Sequence, residues 1–313
     1  MSTVIFGTTG LLGNALMMTS PKKDVVGLCS KDVNLIDKKD CFDKLSSISK
    51  GHREVWINSA ARVGGVKANT DYVGDFYTEN TNIGGNVIST AWLLGVKKLV
   101  SILSTCIYPD ANHVKYPLTE DQLHNGPPHH SNFGYAYAKR MLDVQSRAYR
   151  QQFGCNFITV IPNNLYGPHD NYDLNSGHVI PSLIRKFFEA HLRGTDVEIW
   201  GTGKPLREFT FSADAANIIW WCTQNYDESD PVNIGNTEEY SIAEVANEIG
   251  KIIGFKKQIR FNSSKPEGQY RKPTSNNKLK NAGCDFKYTS LQTGLELSID
   301  FFVKKYPNIR GVS

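Results

Sequence analysis

The 313-residue chain has no CxxC pair, and its six cysteines (Cys29, Cys41, Cys106, Cys155, Cys222, Cys284) are scattered without metal-ligand spacing. That usage argues against a disulfide-framed secreted scaffold and against a metal site, and fits reduced thiols in the cytoplasm. No apolar run reaches membrane length, and no basic stretch with an apolar signal core opens the chain. A soluble cytoplasmic protein with no membrane partner is expected. Neither charge sign dominates: the formal net charge is +4. The basic pairs (Lys22-Lys23, Lys97-Lys98, Lys256-Lys257, Arg271-Lys272) are not interleaved with stacking aromatics, which argues against a nucleic-acid partner. The mild positive excess suits a small anionic ligand. Repeats and low-complexity tracts are also missing.

What is present is a chain 40% hydrophobic, enough for one large domain or two closely joined lobes. Short β-branched runs predict strands at 4–6, 25–28, 55–57, 99–103 and 157–161. Amphipathic stretches at 82–94 and 136–149 predict helices between them. This alternation points to an α/β protein with a Rossmann-type doubly wound parallel sheet. Such sheets bind ligands outside the carboxyl ends of their strands. After about residue 163 the pattern turns to loops rich in Asn, Gly, Pro and His, with short strands such as "VEIW" and "IRF". The expected division is a dinucleotide-binding domain over 1–165, rejoined by about 211–235. A smaller α+β substrate-binding lobe takes 166–210 and 236–313. Residues after Tyr306 are expected to be loose.

The first strand runs into "GTTGLLG", which places Gly7, Gly10 and Gly13 in a strand–turn–helix setting. Glycines there allow a tight turn and a close approach to a pyrophosphate at the helix N-terminus. A plain βα turn is the competing reading. Beyond the second strand, Ser30 and Lys31 precede Asp32. An acid at the strand end would repel a 2′-phosphate, so NADP(H) is favoured over NAD.

The run at 99–103 stops at Ser104, Thr105 and Cys106. Further on, "YAYAK" sets Tyr135 and Lys139 four apart, on one helix face. An ammonium near the phenol would lower its pKa, so that Tyr135 could donate a proton to a carbonyl oxygen that Ser104 also holds. An ordinary amphipathic helix is the alternative. Cys106 reads equally well as a small buried hydrophobe, and His178 in "NSGHVIP" as a helix-capping loop residue. Together they allow more. A thiolate could take a proton from carbon next to a ketone, and an imidazolium return one to the opposite face. The enolate between them needs a stabiliser on oxygen, a place that Tyr135 and Ser104 would fill.

The glycine loop with Ser104, Tyr135 and Lys139 resembles the extended short-chain dehydrogenase/reductase superfamily. Within it, "STCIYP", "AARVGGVKANTDY", "NNLYGPHDN", "SGHVIP", "WGTGKPLREF" and "KPEGQYRK" resemble the GDP-L-fucose synthase family. That resemblance implies 3,5-epimerisation of GDP-4-keto-6-deoxy-D-mannose and then NADPH-dependent reduction at C4 in one site. GDP-colitose synthesis, or another sugar-nucleotide epimerase or reductase of this fold, is the alternative. It implies catalytic roles for Ser104, Cys106, Tyr135, Lys139 and His178. Cofactor contacts would come from Gly7, Thr8, Thr9, Gly10, Leu11, Leu12, Gly13, Ser30 and Lys31. Others would come from Leu103, Ser104, Thr105, Lys139, Pro162, Asn163, Asn164, Leu165 and His178. Substrate contacts would come from Asn164, Val179, Leu183, Lys186, Trp200 and Arg207, with Lys272 a further candidate cation. Thr9 and Lys186 depart from the family, which often carries a basic residue and an arginine there. A homodimer, paired through the helices near 82–94 and 136–149, is also implied.

Overall fold

The computed structural model describes residues 2–265 and 268–312. Pro266 and Glu267 of the "KPEGQYRK" stretch lie outside the described residues. The strands are β1 (Thr3–Phe6), β2 (Val25–Leu28), β3 (Val55–Asn58), β4 (Lys98–Ile102), β5 (Asn156–Ile161), β6 (Asn164–Tyr166), β7 (Val197–Trp200), β8 (Leu206–Phe211), β9 (Val232–Asn233), β10 (Glu239–Ser241) and β11 (Ile259–Asn262). The helices are α1 (Leu11–Met18), α2 (Lys38–Ile48), α3 (Val66–Asp71), α4 (Val73–Leu93), α5 (Phe133–Phe153), α6 (Val179–Arg193), α7 (Ser212–Asn225), α8 (Ile242–Ile253), α9 (Asn277–Asn281) and α10 (Leu291–Lys305).

The large sheet has the order β2-β1-β3-β4-β5-β9, and its pairings are all parallel. Every residue of β1, β3 and β4 is buried. Helices cover both faces, which is why these strands read as near-continuous apolar runs, without polar alternation. On one face α2, α4 and α5 close a core around Trp56, Val87, Leu99 and Leu142. On the other, α1 and α7 close a core around Ile5, Val100, Ile158 and Ile219. The Trp220 indole N–H donates to Leu16 O at 3.1 Å, tying α7 to α1. Leu279 of α9 and Cys284 also pack into this second core, although the sequence reading placed them in the smaller lobe. Strand order reverses direction between β1 and β3, and a crevice opens at such a switch point.

Both long helices begin earlier than their apolar periodicity predicts. The first turns of α4 are polar, and they are held by tertiary contacts instead. Buried Asn80 donates to Phe76 O and to Arg62 O, and accepts from Arg62 N. Where α4 crosses α5, a Cβ on Gly84 would overlap the Leu142 side chain, so the helices approach closely there.

A third core lies beyond the sheet's carboxyl edge. It gathers Ile184 and Phe187 of α6, Val245 and Ile249 of α8, and Leu295 and Phe302 of α10. These helices pack on a three-stranded sheet ordered β10-β8-β6 and a parallel pair, β11-β7. Helix α8 starts with a reciprocal capping box between Ser241 and Glu244, as "SIAE" encodes.

The end of the chain is docked, contrary to the expectation of a loose tail. Tyr172 N donates to Arg310 O at 3.1 Å, and Arg185 Nη1 donates to Gly311 O at 2.6 Å. Gly311 takes φ +85° in a space where a Cβ would meet the Tyr172 backbone. No local pattern in the sequence announces a segment held by its partners' backbone. Among the described residues, no helix is long and apolar enough to cross a membrane.

Candidate active site

A cleft of about 990 Å³ opens between the carboxyl edge of the large sheet and the third core. The glycine turn forms one end. Gly7 takes φ +81°, and a Cβ on it would lie 2.8 Å from Ala60 Cα. A Cβ on Gly13 would overlap the Gly7 carbonyl. Gly10 is the N-cap of α1 and makes no side-chain cap bond, so the helix's first N–H groups face the cleft unscreened. This bare, positively polarised turn suits a pyrophosphate. The Asp32 carboxylate is withdrawn into its own turn, where it accepts from Cys29 N at 2.8 Å. It does not line the cleft, whereas Ser30 does.

Leucine 103 and Thr105 extend β4 beyond its formal end, with their N–H groups donating to Val160 O and Pro162 O. Ser104 then caps a single 3-10 turn, Thr105–Ile107. Its Oγ accepts from Cys106 N at 3.3 Å. The hydroxyl thus fixes the backbone that presents the thiol to the cleft. Tyr135, in the first turn of α5, turns its phenol towards Ser104 and Cys106. Its ring packs edge-on against Phe76, with centroids 6.3 Å apart.

Electrostatics differ from the sequence expectation at two groups. Burial holds the Tyr135 phenol well above its ordinary range, and the neighbouring Cys106 adds to this. The Ser104 hydroxyl opposes both without cancelling them. Lys139 does not produce a phenolate here. It is 4% exposed, its Nζ donates to Ile102 O at 3.0 Å, and burial lowers its pKa to about 8. The His178 ring opens onto the cleft. The protein packed around it, with Arg310 second, still lowers its pKa. It therefore rests as neutral imidazole near pH 7, not as the imidazolium expected.

Lysine 139 yields a prediction with a definite sign. The folded pKa of about 8 lies below the ordinary 10.5, so folding penalises the ammonium. The penalty is complete below pH 8, where both states are protonated. Stability is recovered as pH rises from 8 towards 10.5, because only the unfolded chain still binds the proton. Relative to Lys139→Met, the chain should gain at most about 3 kcal/mol across that window. Urea unfolding of both proteins at pH 7.5 and about 10 checks this. A pH-independent difference would show that the ammonium is not penalised.

At the other end, Trp200 stands 49% exposed, with Lys186 Nζ 5.5 Å and Lys265 Nζ 5.6 Å from its ring centre. Burial lowers the Lys186 pKa. Arg207 donates from Nη1 to Leu206 O at 2.6 Å. Lys272 sits within charge range of Cys106; burial lowers its pKa, and Cys106 acts in the opposite sense. Behind them, Glu208 knits the floor. It accepts from Asn163 Nδ2, Thr274 N and Thr274 Oγ1, and burial raises its pKa to about 7.

Of the residues singled out by sequence, Thr8 and Lys31 do not line the cleft, and all the others do. The Thr8 hydroxyl turns away to donate to Leu28 O, and Lys31 stands in solvent. The cleft also recruits Arg62, His129, Asp170 and Arg310, which sequence reasoning missed. Arg62 and Asp170 lie inside two of the recognised stretches and were findable there. Arg310 arrives only through docking of the chain end. Among the described residues, no group of His, Cys, Asp and Glu could hold a metal ion.

The comparisons with known proteins agree with this architecture. Residues 3–235 match the model of the NAD dependent epimerase/dehydratase family. The chain is 43% identical to a GDP-L-fucose synthase from Dictyostelium discoideum, covering 98% of this chain and 97% of the relative. It is 31% identical to a GDP-L-colitose synthase from Yersinia pseudotuberculosis, over 98% and 100%. A crystal structure of a GDP-L-fucose synthetase from Naegleria fowleri bound to NADP superposes with a TM-score of 0.90 at 38% identity, covering 99% of this chain and 94% of that one. Its fold and near-full-length likeness place the chain in the NAD dependent epimerase/dehydratase family, on the branch of the GDP-L-fucose synthases.

Proposed function

We propose that the chain converts GDP-4-keto-6-deoxy-D-mannose to GDP-L-fucose, by inversion at C3 and C5 followed by NADPH-dependent reduction at C4. One observation carries the reading: Cys106, Ser104, Tyr135 and His178 face a single cleft that also contains the glycine turn. A simple carbonyl reductase has no use for the thiol or the imidazole. Identity of 43% with a GDP-L-fucose synthase, against 31% with a GDP-L-colitose synthase, favours the fucose product.

The residues of the glycine turn fit NADP(H), because the cradle at Gly7 and Gly13 has no room for a Cβ and Asp32 is withdrawn from the ribose side. Bound NADPH supplies the hydride that reduces C4. Lys139 would hold the nicotinamide ribose, and Leu103, Thr105 and residues 162–165 would wall the ring. Both C3 and C5 flank the C4 ketone, so the same carbonyl acidifies both protons. Cys106 takes a proton from one face as the thiolate. The enolate oxygen is held by the neutral Tyr135 phenol and the Ser104 hydroxyl, which stabilise charge where it develops. His178 returns a proton to the opposite face. Burial and Arg310 lower its pKa, and the negative charge of a bound diphosphate would act in the opposite sense. After hydride transfer, Tyr135 protonates the C4 alkoxide. Trp200 offers a face for guanine, and Lys186, Arg207 and Lys272 offer cations for the diphosphate, where arginine binds oxygens in pairs.

The test is incubation with GDP-4-keto-6-deoxy-D-mannose in deuterated water, with and without NADPH. Deuterium at C3 and C5, with NADPH consumed to GDP-L-fucose, is the expected result. Inert sugar carbons with unspent NADPH would overturn the reading. Turnover only with the 3-deoxy keto sugar would point to colitose.

The cytoplasm is the proposed compartment, where the six free thiols of the described residues stay reduced. A homodimer is proposed through α4 and α5. Phe133, Tyr137, Met141 and Val144 form an exposed stripe on α5, each 37–47% exposed, with Tyr77 nearby on α4 at 45%. Their i, i+4, i+8, i+11 spacing is that of a helix-pairing face. Sedimentation velocity should show a dimer for the unmodified chain and a monomer for Met141→Lys. A monomer in both cases would remove the proposal.

A further inference from the structure

We propose that Gly65, on the loop after β3, is a positioning residue for His178. The two lie on opposite walls of the cleft and are far apart in sequence, yet their loops meet. Gly65 N donates to Ser176 O at 2.9 Å. A Cβ on Gly65 would lie 2.9 Å from the Gly177 carbonyl oxygen, so only glycine lets the loops close to this distance.

Each loop is stiff on its own side. Asn69, 7% exposed, donates from Nδ2 to Gly64 O at 2.8 Å and to Gly65 O at 3.1 Å. Facing it, Asp173 accepts from Asn175 N, Ser176 N and Ser176 Oγ, and Gly177 N donates back to Asp173 O at 2.8 Å. A Cβ on Gly177 would lie 2.5 Å from Asp173 O and 2.6 Å from Asn171 O. A loop wound this tightly cannot yield at one atom. The docked chain end blocks retreat behind it, at Tyr172. His178 follows immediately as the N-cap of α6, whose inner face is anchored in the third core. The position of residues 173–177 therefore sets where the imidazole stands, and Gly65 sets the position of residues 173–177. Pressure from an added methyl would pass through Gly177 to the ring.

The activity arm of the test rests on the epimerase-reductase reading; a spectroscopic arm does not. In Gly65→Ala, deuterium exchange at C3 and C5 should fall about 100-fold, the cost of misplacing a catalytic group by about 1 Å. Single-turnover oxidation of GDP-L-fucose at saturating NADP+, whose chemical step uses Ser104, Tyr135 and Lys139 but no proton from His178, should stay near that of the unmodified chain. The double variant Gly65→Ala/His178→Asn should be no slower than His178→Asn alone, since the two act through one group. Asn69→Ala, a milder change, should give the same pattern more weakly. The ring-nitrogen resonances of His178 in 15N-labelled protein should move in Gly65→Ala whether or not the protein turns over. Equal losses in both half-reactions, additive losses in the double variant, or unmoved His178 resonances would overturn the proposal. Were the unmodified chain inert towards the sugar, the functional reading would fail, and the resonances alone would decide this one.

Discussion

Replacing Cys106 by serine should lower deuterium exchange at C3 and C5 by about 1,000-fold, within the range that a positioned proton-transfer group contributes. Oxidation of GDP-L-fucose by NADP+ should survive. The structure predicts this split because serine is nearly isosteric with cysteine. Ser104 Oγ bonds the backbone N–H of residue 106, not its side chain. The 3-10 turn, Ser104 and Tyr135 should therefore stay in place when sulfur becomes oxygen. What is lost is the sulfur of the proposed base, since an alcohol gives up its proton far less readily than a thiol. Proton NMR of the sugar in deuterated water reports the exchange, and nicotinamide absorbance reports the oxidation. If exchange persists in Cys106→Ser, the base lies elsewhere in the cleft, and His129 becomes the next group to replace.

Tyr135→Phe should give the larger and less selective loss. Reduction at C4 should fall by about 1,000- to 10,000-fold, because the alkoxide loses its proton donor. Exchange at C3 and C5 should fall by about 100-fold, because the enolate oxygen loses one of two partners. NADPH titration should be unchanged, since the phenol belongs to the sugar's end of the site. Burial and the Cys106 neighbour both hold Tyr135 in its neutral form, so it meets the substrate already carrying the proton it must give. Ser104→Ala, which removes the other hydroxyl proposed to hold the enolate oxygen, should produce a weaker version of the same profile. Full exchange in Tyr135→Phe would show that Ser104 or another donor carries the enolate alone.

Much of this was legible in the sequence, for physical reasons. Strands buried on both faces write themselves as apolar runs, so β1, β3, β4 and β5 were found to within two residues. The glycine turn was legible because a backbone that must approach another backbone tolerates no Cβ. Tyr135 and Lys139 were legible through helical spacing. Burial was not. Whether Lys139 makes a phenolate of Tyr135 depends on how much water reaches both, and the fold leaves Lys139 only 4% exposed. The sign of the His178 shift was hidden for the same reason, since it depends on the packing around the ring and on Arg310. Helix starts were also hidden wherever tertiary partners such as Arg62 and Asn80 replace an apolar face. The docked chain end has no sequence signature at all, because its grip is made by main-chain atoms.

The placement of the chemistry has a consequence for descent. In the roles proposed above, Ser104, Tyr135 and Lys139 sit just beyond β4 and on the helix beside it, whereas the epimerising pair is split, with Cys106 on the 3-10 turn after that strand and His178 before α6. Substitutions confined to residues 171–178 can therefore strip a gene copy of carbon-acid chemistry and leave a working ketone reductase. The opposite loss is hard to reach, because the enolate leans on the same phenol as the alkoxide. Duplicates of such a gene should drift towards reductases far more readily than towards pure epimerases.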